Sequence, residues 1–252
     1  MTTELLKNKK IPYICTPLTG KNREEILSEL ETIIPKQPDM IEWRVDFLEE
    51  IHDTGKVLTI AEEISSVSKM PLLFTIRSEK EGGEKISITE DEKVNLLSEV
   101  CKTSAVDMVD FEVSNDPEHI KALRKVSKEN NKKLILSYHN FDHTPANTEI
   151  MRRIFNVAFY EADIAKVAVM PQNKDDVLRL LELTKEADDV LDISVVTISM
   201  GEIGGLSRIV GWAYGSIITF GVGVQSSAPG QVPIDKLKQM IEMTQEVVGD
   251  WK

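Results

Sequence analysis

The sequence predicts an α/β protein built as one (β/α)8 TIM barrel, a single domain over residues 1–252. Short β-branched apolar runs alternate with amphipathic helical ones. Eight such units in 252 residues match the size and pattern of a (β/α)8 barrel. No Pro/Ser-rich linker or low-complexity tract divides the chain. A doubly wound open sheet is the alternative, and it would more naturally show a Gly-rich dinucleotide turn after the first strand. The stretch Thr16-Pro17-Leu18-Thr19-Gly20 is not that fingerprint.

The expected strands are Ile11 to Cys15, Met40 to Val45, Leu72 to Ile76, Met108 to Val113, Leu134 to Tyr138, Asp163 to Val169, Ile193 to Ser199 and Ile217 to Val222. A helical pattern follows each. Arg23 to Ile34, Val57 to Val67, Asp91 to Thr103, Thr148 to Tyr160 and Ser207 to Tyr214 supply five. Asp116-Pro117 reads as an N-cap followed by proline at the first helical position, with Ile120, Leu123 and Val126 facing inward. Asn173 stands similarly before Val177, Leu180, Leu181 and Thr184. Pro233 opens the last helix, whose apolar face reads Leu237, Met240, Ile241, Thr244, Val247 and Val248.

Composition excludes several classes of function. A formal net charge of −12 argues against non-specific binding to nucleic acid or to anionic membrane. Met1 to Lys10 is polar and carries no signal-peptide run, and no later segment reaches bilayer-spanning length. Cys15 and Cys101 fit neither a disulfide framework nor a zinc-ligand spacing, so they read as buried, reduced thiols of a cytoplasmic protein.

In a barrel of this kind the active site lies at the C-terminal ends of the strands. Glu42 and Arg44 end the second strand, Arg77 follows the third with Glu81 just beyond, and Glu112 ends the fourth. His139 ends the fifth, Lys166 lies in the sixth, Met200 follows the seventh, and Arg208 opens the next helix. Each has a structural alternative. Glu42 and Arg44 share a strand face and could pair with each other. Arg77 with Glu81 could be a surface ion pair, and Glu112 a structural partner for an arginine. Lys166 either snorkels to water along its stem or is held in an apolar strand as a nucleophilic amine. Histidine titrates near neutrality, so His139 suits acid–base work. Neighbouring strands lie ~5 Å apart, so Lys166 and His139 can converge on one molecule, an arrangement suited to imine catalysis. The loop after the eighth strand, 221–231, reads as a closing lid with Ser227 and Gln231 as hydrogen-bonding groups, or as a glycine-rich connector. His139 and His143 do not make a metal site, because the residues between and after them read as loop.

Several pieces together resemble the type I 3-dehydroquinase family, the Schiff-base dehydratases of the shikimate pathway, over essentially the whole length. They are Glu42-Trp43-Arg44-Val45-Asp46, Phe74-Thr75-Ile76-Arg77-Ser78 with Glu81-Gly82-Gly83, and Ser137-Tyr138-His139-Asn140-Phe141. Asp163-Ile164-Ala165-Lys166, Ser199-Met200-Gly201, Ser207-Arg208 and Ser227-Ala228-Pro229-Gly230-Gln231 complete the set. The resemblance implies a carbon–oxygen lyase that turns 3-dehydroquinate into 3-dehydroshikimate. Lys166 would form an imine with the C3 ketone, and His139 would move the proton from C2 and help the C1 hydroxyl leave. Glu81 would orient His139, and Arg208 would hold the substrate carboxylate. Glu42, Arg44, Arg77, Ser227 and Gln231 would bind hydroxyls and close the site, with Met200 and Phe220 as apolar walls. It implies no cofactor, no metal and a homodimer. Two departures are Ile198, where many relatives carry methionine, and Glu112, where an aspartate is often found. An aldolase acting on a sugar phosphate and a catalytically inactive barrel are the competing readings.

Overall fold

Strand alternation divides the apolar residues between two cores. A computed structural model describes residues 12–248, and Met1 to Ile11, including the polar start and the first residue of the expected first strand, lie outside it. The strands are β1 (Tyr13–Leu18), β2 (Met40–Arg44), β3 (Leu72–Thr75), β4 (Met108–Glu112), β5 (Lys133–Asn140), β6 (Ile164–Val169), β7 (Ser194–Ser199) and β8 (Ile218–Val222). Ile41, Trp43, Phe74, Val109, Phe111 and Leu136 point outward under the helices. Cys15, Met40, Leu73, Met108, Ile135, Ile164, Val196 and Ile218 point into the barrel.

Neighbouring strands pair in parallel from β1 through β7, and β1 also pairs with β8. The ring closes between β7 and β8 by a bridge of Val195 with Ser216 and the bond from Ile217 N–H to Val195 O at 3.0 Å. The barrel prediction therefore holds. A two-residue ninth strand, β9 (Val232–Pro233), adjoins β8.

Among the described residues seven helices fill the crossovers and an eighth follows the last strand: α1 (Arg23–Ile33), α2 (Thr54–Ser68), α3 (Glu90–Cys101), α4 (Pro117–Glu129), α5 (Asn147–Phe159), α6 (Lys174–Val190), α7 (Gly205–Val210) and α8 (Ile234–Val248). Side chains at their starts take up orphan N–H groups. Asn22, Asp53, Asp116 and Asn173 each accept one, and Thr89 forms a reciprocal capping box with Glu92.

Three expectations are corrected. β1 continues through Thr16-Pro17-Leu18, past the Cys15 end expected for it; Pro17 sits opposite Glu42 in a ladder position that needs no donor from it. The helix expected over Ser207 to Tyr214 breaks at Gly211 into α7 and a 3-10 turn. α8 starts after Pro233, and it buries Ile234, Leu237 and Ile241 while Met240 and Val247 stay exposed. At roughly 100° per residue those two lie well round the helix from the narrow stripe that meets the barrel.

At the N-terminal rim an aspartate immediately before each of β2, β4 and β6 reaches back to the preceding strand. Asp39 accepts Ile14 N–H at 2.8 Å, Asp107 accepts Leu72 N–H at 3.0 Å, and Asp163 accepts Leu134 N–H at 3.0 Å. At the β7–β8 seam the Ser216 hydroxyl accepts Thr197 N–H at 3.1 Å. Asp163 also pairs with Arg124 at 2.8 Å and Lys133 at 2.7 Å. Replacing it with alanine orphans a backbone donor and two cations, so Asp163→Ala is expected to cost about 1–3 kcal/mol. Urea unfolding should show a lowered midpoint with an unchanged m-value.

Candidate active site

The side chains inside the barrel are stacked in layers drawn from alternate strands. Met40, Met108, Ile164 and Ile218 are the inward apolar residues of β2, β4, β6 and β8. Two residues further along the same strands come Glu42, Asp110, Lys166 and Phe220. Lys166 Nζ stands 3.2 Å from Asp110 Oδ2, 3.5 Å from Glu42 Oε1 and 4.5 Å from the centre of the Phe220 ring. Only 5% of the lysine is exposed, so it does not snorkel to water. Nor is it isolated in apolar surroundings, because two carboxylates flank the amine.

Arg77 ties the next level together. It donates to Asp110 Oδ1 at 2.7 Å, to the Ser137 hydroxyl at 2.7 Å and to Glu112 Oε1 at 3.3 Å. Burial pushes Asp110 up, but Arg77 and Lys166 outweigh it and hold the carboxyl below its ordinary range. Burial is likewise outweighed at Glu112, where Arg77, Lys93 and the Ser78 N–H bring the carboxyl down to about 2. Glu112 is thus the structural partner of an arginine, and Asp110, two residues earlier, is the carboxylate against Lys166.

Arg44 does not pair with Glu42. It makes a two-pronged contact with Asp46, Nε to Oδ1 at 2.9 Å and Nη2 to Oδ2 at 2.7 Å. Asp46 also accepts Arg77 N–H and Glu84 N–H, both at 3.2 Å, and so fixes the loop that carries Glu81. That loop is a single 3-10 turn ending at Gly82, whose φ of +83° suits glycine. A Cβ there would also strike the Phe141 ring.

Glu81 is buried and faces His139, not the surface. Its Oε2 stands 3.0 Å from His139 Nδ1 and accepts the His139 backbone N–H at 2.9 Å, while Oε1 accepts from the Ser114 hydroxyl at 3.0 Å. Arg77 Nη1 lies 3.9 Å away. Burial raises the Glu81 carboxyl to about 7. Burial and the cations Arg77, Lys166 and Arg44 push His139 well below its ordinary value, so the imidazole is neutral at neutral pH. When Glu81 is ionised, the contact to it places the proton on Nδ1 and leaves the Nε2 lone pair free.

Arg208 is buried in a different way. Its guanidinium donates only to backbone carbonyls, Pro229 at 3.0 Å and Phe220 at 3.4 Å, and no carboxylate pairs with it among the described residues. Nε has no partner. Burial lowers this arginine to about 10. Such a cation is a ready seat for a carboxylate, which a guanidinium can take in two-pronged fashion. Pro229 belongs to the loop after β8, which folds over the cavity. Gln231 accepts Ser227 N–H at 3.0 Å and donates to its hydroxyl at 3.2 Å. Gly201 N–H donates to Pro229 O at 3.2 Å, and Gly230, with φ of +73°, passes so close to Gly201 O that no Cβ would fit.

All eleven residues expected at the site line one cavity: Lys166, His139, Glu81, Glu42, Arg44, Arg77, Arg208, Ser227, Gln231, Met200 and Phe220. Phe141, Ala168 and Ile198 add apolar wall. Sequence reasoning missed Asp110, Asp46 and Lys93. Strand alternation from Glu112 points to Asp110, and from Arg44 to Asp46. Lys93 occupies a core position of α3 beside Leu96, Leu97 and Val100, a register where lysine is out of place. Among the described residues no three His, Cys, Asp or Glu side chains converge as a metal site.

The family model for Type I 3-dehydroquinase matches residues 14–247. A 3-dehydroquinate dehydratase of Geobacillus sp. (strain WCH70) is 48% identical over 236 residues, 93% of this chain and 91% of the relative. The crystal structure of 3-dehydroquinate dehydratase from Geobacillus kaustophilus HTA426 superposes with a TM-score of 0.92 at 40% identity, covering 96% of this chain and 98% of that one. The type I enzyme from Clostridium difficile, solved with covalent modified comenic acid, gives 0.91 at 37% identity, with 95% and 94% covered. On these matches the chain belongs to the type I 3-dehydroquinase family.

Proposed function

We propose that this cavity dehydrates 3-dehydroquinate to 3-dehydroshikimate, a step of the shikimate pathway, through an imine on Lys166 with His139 and Glu81 as the acid–base pair. One observation carries the reading: the Lys166 amine and the His139 imidazole open into the same cavity from the adjacent strands β6 and β5. The membership of the family and the likeness to 3-dehydroquinate dehydratases support the substrate.

Arg208 takes the carboxylate of the substrate and so aims the C3 ketone at Lys166. The ammonium gives a proton to the flanking Glu42 carboxylate, and the freed amine attacks C3. The C3 oxygen takes one proton from the attacking nitrogen and the one held by that carboxyl, and leaves as water; the protonated imine that remains withdraws electrons and acidifies C2. His139 Nε2 takes the C2 proton, and Glu81 steadies the imidazolium through Nδ1–H. The electron pair released at C2 expels the C1 hydroxyl, and His139 returns its proton to that oxygen so that it departs as water. A water molecule then hydrolyses the imine and frees Lys166. The net change is loss of one water. Ser227, Ala228 and Gln231 of the loop after β8 line the cavity and screen the imine from solvent in the meantime. The apolar walls Met200, Phe220 and Ile198 contact the ring carbons.

Borohydride added with 3-dehydroquinate should leave a reduced adduct that peptide mass mapping places on Lys166. Absence of that adduct in a protein that turns over the substrate would remove the imine. In His139→Ala the adduct should still form while kcat falls by about 100-fold or more; near-normal turnover would take His139 out of the mechanism. The pH profile carries a sign. Glu81 must be ionised to accept Nδ1–H, and its carboxyl is raised to about 7, so kcat/KM should fall as pH drops through that value. In Glu81→Gln this acid limb should vanish.

A further inference from the structure

Lys93 does not line the cavity, yet its side chain is 0% exposed on the hidden face of α3. Nζ donates to Glu112 Oε2 at 2.9 Å, with Glu90 Oε1 3.7 Å away and the centre of the Phe111 ring at 5.3 Å. Glu112 is saturated: Oε1 accepts Ser78 N–H at 2.8 Å and Arg77 at 3.3 Å, and Oε2 accepts Lys93 and Asn115 Nδ2, the latter at 3.0 Å. The Arg77 nitrogen on Glu112, Nη1, also stands 3.9 Å from Glu81 Oε2, the oxygen that receives His139. An unbroken line of charges therefore runs from the interior of α3 to the cavity.

We propose that Lys93 is a positioning residue for the His139–Glu81 pair: by neutralising Glu112 it leaves the Arg77 guanidinium shared with Glu81 and Asp110 instead of drawn onto Glu112. The inference rests on the reading of His139 and Glu81 as the acid–base pair. Glu81 is faced by Arg77 from the end of β3, by Glu112 and the Ser114 hydroxyl from the end of β4, and by His139 from β5. From α3, Lys93 acts on it through Glu112. Burial aside, Arg77 favours the ionised form of Glu81 and Glu112 disfavours it. Removing the Lys93 charge leaves more of the Glu112 charge bare and pulls Arg77 toward it. Both changes favour protonated Glu81. A lysine that merely fills the core of α3 would move neither.

The test follows the Glu81 carboxyl by 13C NMR in glutamate-labelled protein, assigned with Glu81→Gln. Lys93→Met should raise its midpoint by about one pH unit and carry the acid limb of kcat/KM upward with it. Lys93→Arg should restore both. Lys93→Gln, which keeps a donor for Glu112 but no charge, should shift them in the same direction as Lys93→Met and stands in for it if the methionine variant does not fold. Glu112→Gln should lower the midpoint, and adding Lys93→Met to that variant should change it little, because the relay is gone. A midpoint that stays put in the uncharged variants, or moves equally with and without Glu112, overturns the proposal. If the wild-type protein fails to turn over 3-dehydroquinate, the reading of the site falls, whereas the carboxyl titration still decides the role of Lys93.

Discussion

The barrel interior depends on one arrangement, a lysine amine held in a buried layer between two carboxylates and an aromatic ring. An ionised amine moved from water into a protein interior loses several kcal/mol of hydration even after relaxation. Asp110 and Glu42 supply the opposing charge at 3.2 and 3.5 Å, and the Phe220 face supplies a weaker attraction at 4.5 Å. These four residues come from β4, β2, β6 and β8, and each stands two positions above an apolar residue on its strand. The layer geometry of a barrel thus does what no single helix or loop could. It brings side chains from 42, 110, 166 and 220 to one level.

Around that layer the charges are compensated with one exception. Arg44 has Asp46, Arg77 has Asp110 and Glu112, and Lys93 has Glu112. Arg208 has carbonyls alone. Burying an unpaired guanidinium costs stability, a cost that the carboxylate of the proposed substrate would offset. Glu81 and His139 lie at the opposite extreme of tuning. Burial lifts the carboxyl to about 7 and depresses the imidazole, so the pair does not rest as a fixed ion pair.

Much of this was legible because strand parity is strict. Once β2 is placed at Met40, Glu42 and Arg44 must both face inward, and the same step from Ile164 reaches Lys166. The rim residues followed from that periodicity and from the rule that barrel chemistry gathers at strand C-termini. Partner choice was not legible. Nothing local says that Arg44 takes Asp46 and leaves Glu42 to Lys166, because the outcome depends on which strands the barrel sets side by side. The surroundings of Lys166 were misread for the same reason. Its strand is apolar, but the carboxylates arrive from β2 and β4, 124 and 56 residues away. The face of α8 failed differently, since its pattern shows amphipathicity without saying how wide a stripe the barrel will cover.

Clamp and chemistry share strands. Asp39, Asp107 and Asp163 fasten the N-terminal rim to the preceding strand, and three residues later on β2, β4 and β6 come Glu42, Asp110 and Lys166. A one-residue slip of any of these strands would turn its charged side chain out among the helices and orphan its clamp at once. The N-terminal hydrogen bonds therefore do more than stabilise. They set the register that puts an amine and two carboxylates at one height, so the precision of the site originates at the end of the barrel farthest from it.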